Sequence, residues 1–285
     1  MTKIVSWNIQ CGLGVDGQIN LNRISEVISS QGNPDVICLQ EVARFDPDSD
    51  QGQGADQYVI LSDLFPHHSA FFGPAIDRLY PGEHNRRQFG NMILSRLPVL
   101  QVFNHLLPQP RPEKPCKNMP RQALEVVVNL ENGPLRIATT HLEYHCTKQR
   151  YAQAEYICKI QSDIISNLDY DKTAPQTGPY AAIPRPEHSI ICGDFNAVVG
   201  EKSYRLLNSE IPEISNHYID AWPVFHKDKT HAPTCGIFDP EQWPEGPHCR
   251  DFFFITESLV PCVKNVFVDE KTDASDHQPV ILELA

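Results

Sequence analysis

Short apolar segments separated by turn residues run along the whole sequence and limit what it can fold into. Their patterns are typical of strands, and their number is roughly eleven. Many strands combined with few helices predict an α/β domain in which two sheets pack face to face. The most distinct predicted strands are residues 3–9, 35–39, 91–94, 99–103, 123–130, 135–140, 188–192, 251–256, 260–268 and 279–284.

Apolar residues at helical spacing occur in fewer places. One pattern begins at Leu21, directly after Asn20, a residue type that caps helix N-termini. The longest pattern covers residues 148–168, and residues 204–207 predict a short helix. Loop composition, rich in Gly, Pro and polar residues, is found at residues 44–57, 171–187 and 226–248.

The length of 285 residues suits one large domain or two small ones. The apolar fraction of 41% and the charged fraction of 21% are ordinary for a globular protein, which argues against a disordered or coiled-coil chain. No internal repeat, low-complexity tract or linker divides the sequence. We therefore expect residues 1–285 to form a single domain.

Targeting and redox signals are weak in this sequence. No window approaches 18 consecutive apolar residues, so a membrane span is not predicted. The N-terminal residues lack the apolar core and cleavage site of a signal peptide, which leads us to expect a cytoplasmic protein. The nine cysteines are scattered without a CxxC pair, so neither a disulfide framework nor a cysteine zinc site is predicted.

The formal net charge is −12 at pH 7. Proteins that bind nucleic acids without sequence preference usually present a basic face, because phosphate contacts supply their affinity. The overall charge therefore disfavours long DNA or RNA as a ligand. It leaves small phosphoesters open, because a cation bound among carboxylates reverses the sign of the local field.

Polar side chains follow the predicted strands at the points where the strands end. Such residues are typical of sites carried by a rigid scaffold. Along the chain they are Asn8, Glu41, His141, Asp194, Asn196, Asp251, Asp276 and His277.

These residue types suit a hard cation combined with acid–base groups. Glu41, Asp194 and Asp276 supply anionic oxygens, which Mg²⁺ prefers together with water. Histidines at two strand ends can donate to a phosphoryl oxygen or move protons near pH 7. Asp251 is suited to hold an imidazole in one orientation.

Each residue alone also has an ordinary structural explanation. Asp194 with Asn196 could form an Asx-turn, and a lone histidine such as His141 is commonly a satisfied interior residue. Asp251 could pair with the adjacent Arg250. The functional interpretation therefore depends on the whole set rather than on any one member.

The set resembles the endonuclease/exonuclease/phosphatase superfamily. The matching motifs occur in the order known from that family and span residues 5–281. They are Ser-Trp-Asn-Ile, Leu-Gln-Glu-Val, Gly-Asn-Met-Ile-Leu-Ser-Arg, Thr-Thr-His-Leu, Gly-Asp-Phe-Asn, Arg-Asp-Phe-Phe-Phe and Ser-Asp-His-Gln-Pro-Val.

The resemblance implies a fold and a cofactor. The fold would be a four-layered α/β sandwich, with two mostly antiparallel sheets face to face and helices outside them. The cofactor would be Mg²⁺, with Mn²⁺ as an alternative ion, and it would serve hydrolysis of a phosphoester. The implied metal ligands are Asn8, Glu41 and Asp276.

The resemblance also implies catalytic roles. His141 would bind a phosphate oxygen, Asp194 would orient or activate the attacking water, and Asn196 would contact the phosphate or the water. His277 would be a general base or a transition-state stabiliser steadied by Asp251. Whether Asp194 or His277 takes the proton stays open at this point.

Three functions are compatible with the sequence. The first is hydrolysis of a small or lipid-derived phosphoester. The second is a nuclease, favoured by one Pro-rich segment that carries Arg111, Lys114, Lys117 and Arg121. The third is a non-catalytic binding protein with the same fold. The sequence gives no sign of an obligate protein partner.

Overall fold

The computed structural model describes residues 1–168, 177–181, 185–209 and 216–285, so most of the predicted loop at 171–187 lies outside the described residues. The strands are β1 (Thr2–Asn8), β2 (Val36–Arg44), β3 (Ser69–Arg78), β4 (Arg87–Ser95), β5 (Val99–Leu106), β6 (Gln122–Leu130), β7 (Gly133–His141), β8 (Ser189–Asp194), β9 (Tyr218–Asp220), β10 (Asp251–Thr256), β11 (Val263–Val268) and β12 (Val280–Leu284). The α-helices are α1 (Leu21–Ser30), α2 (Gln57–Leu64), α3 (Thr147–Asn167), α4 (Lys202–Leu207) and α5 (Ala221–His226).

The strands form two six-stranded sheets, in the orders β11-β12-β1-β2-β4-β3 and β5-β6-β7-β8-β10-β9. Neighbouring strands are antiparallel except for the parallel pairs β1–β2 and β7–β8. The prediction of two mostly antiparallel sheets is confirmed.

Three apolar clusters build the layers. Ile4 and Val36 of the first sheet share a buried cluster with Ile190 and Phe253 of the second sheet, which places the main core between the sheets. A second cluster joins the outer face of the first sheet to α1 and α2. A third joins the outer face of the second sheet to α3 and α4. The four-layered α/β sandwich is therefore confirmed.

Alternation along β2 explains why its apolar run is continuous. Val36 and Cys38 point into the core between the sheets, whereas Ile37 and Leu39 point toward α1 and α2. Successive side chains of a strand face opposite sides, so a strand covered on both faces needs apolar residues at every position.

The strand registers bring the predicted site residues to one edge of the sandwich. Asn8 ends β1 opposite Gln40 of the parallel strand β2. In the other sheet, His141 ends β7 opposite Asp194, the last residue of the parallel strand β8. Asp251 begins the antiparallel strand β10 and also lies opposite Asp194.

The predicted helices form where the sequence indicated. The Asn20 side chain accepts a hydrogen bond of 3.0 Å from the Arg23 N–H and caps α1. Helix α3 begins and ends one residue before the predicted bounds. Among the described residues, no helix combines the length and the apolar character needed to cross a bilayer.

Several elements differ from the prediction. Strands β3 and β9 and helices α2 and α5 were not predicted. Strand β3 is an edge strand whose residues are mostly half-buried, so it lacks a clear alternation of apolar and polar residues. Residue 44 ends β2 and residue 57 begins α2, so the predicted loop at 44–57 overlaps both elements at its ends.

Candidate active site

Gly193 and Asn196 shape the turn that presents Asp194. Gly193 has φ +134°, and a Cβ atom there would lie 1.9 Å from the Thr140 carbonyl oxygen, so only glycine lets β8 approach β7. Asn196 has φ +50°, which asparagine tolerates, and its N–H donates 2.8 Å to Oδ1 of Asp194. The Asx-turn, which the sequence offered as the ordinary structural alternative, is therefore present, and it holds the Asp194 carboxylate in place.

Glu41 lies in a bulge of β2 rather than beyond the strand. Strand β2 continues to Arg44, and its pairing with β4 shifts register between Leu39 and Val42. Glu41 has φ +56° at this irregularity. The predicted end at residue 39 is therefore wrong, because the bulge turns the Glu41 side chain toward the site without ending the strand.

Asn8 joins the carboxylates of the two sheets. Its Nδ2 donates to Oε1 of Glu41 and to Oδ2 of Asp194, each at 3.1 Å. Burial, and next the charge of Asp276, raises the pKa of Glu41 to about 7. Asn8 therefore links Glu41 to Asp194, and Asp276 lies near enough for its charge to act on Glu41.

His277 lies between two buried carboxylates. Its Nδ1 is 2.8 Å from Oδ2 of Asp251, and its Nε2 is 3.7 Å from Oδ2 of Asp194. The Thr234 hydroxyl donates a hydrogen bond of 2.6 Å to the same Asp251 oxygen. Burial alone would lower the pKa of His277, but Asp251, Asp194 and Asp276 raise it well above its ordinary value of 6.5.

His141 is the neutral counterpart of His277. Its Nε2 lies 3.4 Å from Oδ2 of Asp194, and its Nδ1 lies 3.8 Å from Oε1 of Glu41. Burial, and next the positive charge of Arg121, lowers the pKa of His141 to about 3. Its buried Nδ1 has no hydrogen-bond partner among the described residues.

Arg121 is a buried cation of this site that the sequence analysis assigned to a basic segment. It is 6% exposed, and its Nε lies 3.5 Å from Oε2 of the fully buried Glu143. Its Nε and one terminal nitrogen lack hydrogen-bond partners within the described part of the chain. Burial lowers the pKa of Arg121, and the charges of Glu143, Glu41 and Asp194 oppose that effect.

Two features of the sequence indicate that Arg121 lies near His141. The Asn-Gly turn predicts the β6–β7 hairpin, in which Ala123 pairs with Thr140. If the same pairing continues toward the open end of the hairpin, Arg121 lies beside the end of β7 that carries His141. Glu143, two residues beyond His141, then supplies the carboxylate against the guanidinium.

The segment before β10 forms a further wall of the site, which the sequence analysis did not predict. Trp243 packs edge-on against His277, with ring centroids 5.7 Å apart. The neighbouring Gln242 Nε2 donates 2.6 Å to Oδ2 of Asp276. Arg250 does not take Asp251 as its partner: its Nε donates 2.7 Å to His248.

The donor set at this edge fits a hard divalent cation. The carboxylates of Glu41 and Asp276 and the amide of Asn8 supply oxygen atoms of the kind that Mg²⁺ prefers. A second group, Asp194, Asp251 and His277, offers ligand atoms within 4.8 Å of one another. In both groups some of these atoms already take part in hydrogen bonds, such as Asp251 with His277 and Glu41 with Asn8.

Arg150, four residues into α3, carries a structural network. Its Nη1 donates to the carbonyl oxygens of Glu143 and Tyr144, and its Nε donates 2.9 Å to Glu201. Gln153 accepts a hydrogen bond from the Glu143 N–H. These contacts fix the backbone just after His141.

Comparison with known proteins adds a family match. The Endonuclease/Exonuclease/phosphatase family matches residues 5–277 of this chain. Comparison with curated proteins finds no match.

Solved structures of low sequence identity share the fold. A mannosyl-6-phosphatase of Bacteroides thetaiotaomicron is 18% identical with a TM-score of 0.67, and the alignment covers 100% of both chains. The human nocturnin catalytic domain with a bound sulfate anion is 19% identical with a TM-score of 0.61, covering 100% of this chain and 94% of that chain. Truncated Caenorhabditis elegans TDP2 is 19% identical with a TM-score of 0.62, covering 100% of this chain and 97% of that chain.

Proposed function

Because the chain belongs to the endonuclease/exonuclease/phosphatase family, we propose that it is a metal-dependent hydrolase of a small or lipid-derived phosphoester. The observation that carries this proposal is the convergence of buried carboxylates, imidazoles and one guanidinium at the edge shared by the two sheets. Asp194 is at its centre, because Asn8, His141 and His277 all approach its Oδ2 atom within 3.7 Å.

Asn8, Glu41 and Asp276 would hold the divalent cation, Mg²⁺ or Mn²⁺. When bound, the ion neutralises charge on the phosphoryl group and on the leaving oxygen. Gln242 steadies the Asp276 carboxylate through its 2.6 Å hydrogen bond. The bulge of β2 orients Glu41 toward the same point.

Asp194 is the residue we assign to receive the proton of the attacking water. The Asn196 N–H and the Asn8 amide each donate a hydrogen bond to one of its two oxygens, so the carboxylate is held in one orientation. His277 is held on its Nδ1 side by Asp251, and this pairing favours the charged imidazolium. We therefore assign His277 to stabilise negative charge on the phosphoryl oxygens.

His141 and Arg121 supply the remaining hydrogen-bond donors. Both carry buried nitrogen atoms that form no hydrogen bond with the described residues. Buried polar groups without partners cost free energy, and a phosphoryl oxygen accepts hydrogen bonds from both residue types. We assign the Arg121 nitrogens, and His141 in the tautomer that carries its proton on Nδ1, to non-bridging phosphoryl oxygens. Asn196 is assigned to the phosphate or the water beside them.

A small ester suits this chain better than a nucleic acid. The net charge of −12 repels polyanions. Arg121, counted in the sequence with the basic segment, is buried against Glu143, which leaves Arg111, Lys114 and Lys117 exposed there.

Hydrolysis assays on a panel of esters test the proposal. The panel contains an aryl phosphate, a hexose phosphate, an aryl phosphodiester, a lysophospholipid and a short oligonucleotide, each with Mg²⁺. We expect turnover of at least one small or lipid-derived ester and a loss of about 10³-fold in Asp194→Asn. Asp228→Asn, which changes an exposed aspartate, is the matched control.

Two results would count against the proposal. One is the absence of turnover on every small ester, and the other is turnover that Asp194→Asn leaves unchanged. Cleavage of the oligonucleotide alone would favour the nuclease alternative.

A further inference from the structure

The indole N–H of Trp243 is a buried donor that has no acceptor among the described residues. Both other tryptophans of the chain have one. The Trp7 indole donates a hydrogen bond of 2.8 Å to the His277 carbonyl oxygen, and the Trp222 indole donates one of 3.2 Å to the Lys229 carbonyl oxygen. Trp243 is only 3% exposed, and a buried N–H without an acceptor costs free energy. A bound molecule that supplies an acceptor would remove this cost.

Trp243 borders the residues that we assign to the phosphoryl group. Its ring packs edge-on against His277, with ring centroids 5.7 Å apart. The preceding residue, Gln242, donates a hydrogen bond to Asp276. When a phosphoryl group contacts His277, the part of the substrate that adjoins this group therefore lies close to the indole.

Beyond Trp243, this wall of the site reaches the protein surface at Tyr144, which is 41% exposed and lies edge-on to the indole with ring centroids 6.2 Å apart. The Arg250 guanidinium lies 4.9 Å from the ring centroid of Trp243 and 5.5 Å from that of Tyr144. Its Nη1 donates a hydrogen bond of 3.3 Å to the Asn196 carbonyl oxygen. Arg250 therefore holds both rings in place beside the site, on a side that opens to solvent.

The other reacting groups already have partners in the proposed site. His277, His141 and Arg121 are assigned to the phosphoryl oxygens, and the divalent cation neutralises charge on the same group. The attacking water is assigned to Asp194. The Trp243 N–H is therefore left for an oxygen atom of the leaving group.

We propose that Trp243 is a specificity-determining residue whose indole N–H donates a hydrogen bond to a hydroxyl oxygen of the leaving group. This inference rests on the proposed function. It narrows the substrate class to phosphoesters whose leaving group carries a hydroxyl group beside the ester, as in a 2-hydroxyalkyl ester. A simple alkyl ester would leave the N–H unpaired, and a site built for a hydrogen bond discriminates against ligands that cannot form it.

Binding of two phosphonates, which resist hydrolysis, tests this donor without requiring turnover. 3-Hydroxypropylphosphonate and propylphosphonate differ only in the hydroxyl group. Each is added with Mg²⁺ while the tryptophan indole N–H signals are followed by NMR, and Trp243→Phe identifies the Trp243 signal. We expect the hydroxylated compound to bind at least tenfold more tightly and to move the Trp243 signal downfield. The Trp222 signal, from an N–H that already has an acceptor, should stay in place.

Two outcomes of this titration would overturn the proposal. Equal affinities and equal shifts of the Trp243 signal with both compounds would overturn the role of Trp243 alone. Absence of binding by both compounds would overturn it together with the phosphoryl site of the proposed function.

Kinetics with matched esters measure the same preference during hydrolysis. We expect kcat/KM for 2-hydroxyethyl phosphate to exceed that for ethyl phosphate at least tenfold, and this ratio to fall near one in Trp243→Phe. Trp222→Phe is the matched control and should keep the preference. A ratio near one in the unchanged protein, or a ratio that Trp243→Phe leaves unaltered, would overturn the proposal. If neither ester is hydrolysed, the proposed function fails for these esters, whereas the phosphonate titration still decides on Trp243.

Discussion

Asp251 and His277 form a buried hydrogen-bonded pair, with 2.8 Å between Oδ2 and Nδ1. The carboxylate begins β10 in one sheet, and the imidazole precedes β12 in the other, so the pair links the two sheets at the site. The Trp7 indole N–H also donates 2.8 Å to the His277 carbonyl oxygen, which fixes the backbone of the same residue.

Replacing Asp251 with asparagine should lower kcat by about 10²–10⁴-fold, because the amide no longer stabilises a positive charge on His277. The side chains are nearly equal in size, so we expect KM to change little. Steady-state kinetics on the best ester measure both constants. Asp228→Asn serves as the control, and a kcat within twofold of the unchanged protein would contradict the role of the pair.

Arg121→Gln should reduce kcat/KM by about 10²-fold, because it removes charged donors from the phosphoryl-binding side. Arg121→Lys should recover only part of the loss, since an ammonium lacks the planar fork. Arg111→Gln changes an exposed arginine of the same segment and should leave kcat/KM unaltered. Equal losses in the two glutamine variants would contradict the assignment of Arg121.

Glu125, which lies outside the candidate active site, should make the free energy of unfolding depend on pH. Burial alone would raise the pKa of Glu125, but His105, Arg136 and Arg185 outweigh it and hold the pKa at about 2. A carboxyl whose pKa falls on folding stabilises the protein above its ordinary pKa of 4.5, and this contribution is lost as pH falls toward 2. The contribution is on the order of 3 kcal/mol.

Glu125→Gln should therefore unfold more easily at pH 7 and lose less stability between pH 4.5 and pH 2. Urea unfolding at several pH values measures both effects, with Glu131→Gln, an exposed residue of the β6–β7 turn, as the control. Parallel pH profiles for Glu125→Gln and the unchanged protein would refute this expectation.

Gly193→Ala should destabilise the fold by about 3 kcal/mol, because the new methyl group meets the Thr140 carbonyl oxygen and the backbone has positive φ. Gly17→Ala is the matched comparison: it also has positive φ, but open space surrounds it, so a loss of about 1 kcal/mol is expected. Thermal unfolding compares the two. A smaller loss for Gly193→Ala than for Gly17→Ala would contradict the close approach of β7 and β8.

The layered fold was predictable from the sequence because its strands are buried on both faces. Val36–Leu39 shows this, since four successive apolar residues are required there. Strand β3 was not predicted because its residues, at the edge of the sheet, are half-buried and show no clear alternation of apolar and polar types. Helix α2 follows a loop-like segment, and only Asp56, its cap, signals its beginning.

The site residues that lie at strand ends were predictable from the sequence. Those whose positions depend on tertiary packing were less predictable. Asp194 and His141 end adjacent parallel strands, so their proximity follows from topology alone. Trp243 belongs to a segment without periodicity, so nothing in its local sequence indicates that it packs on His277. Arg121 belongs to a basic segment that the sequence suggests is exposed, yet its side chain is buried against Glu143.

The rate of ester hydrolysis as a function of Mg²⁺ concentration, measured for the unchanged protein and for Glu41→Gln, tests the central claim most directly. We predict no activity in EDTA, saturable recovery with Mg²⁺, and at least a tenfold higher Mg²⁺ requirement in Glu41→Gln. Full activity in EDTA, or the same Mg²⁺ curve for both proteins, would contradict the account.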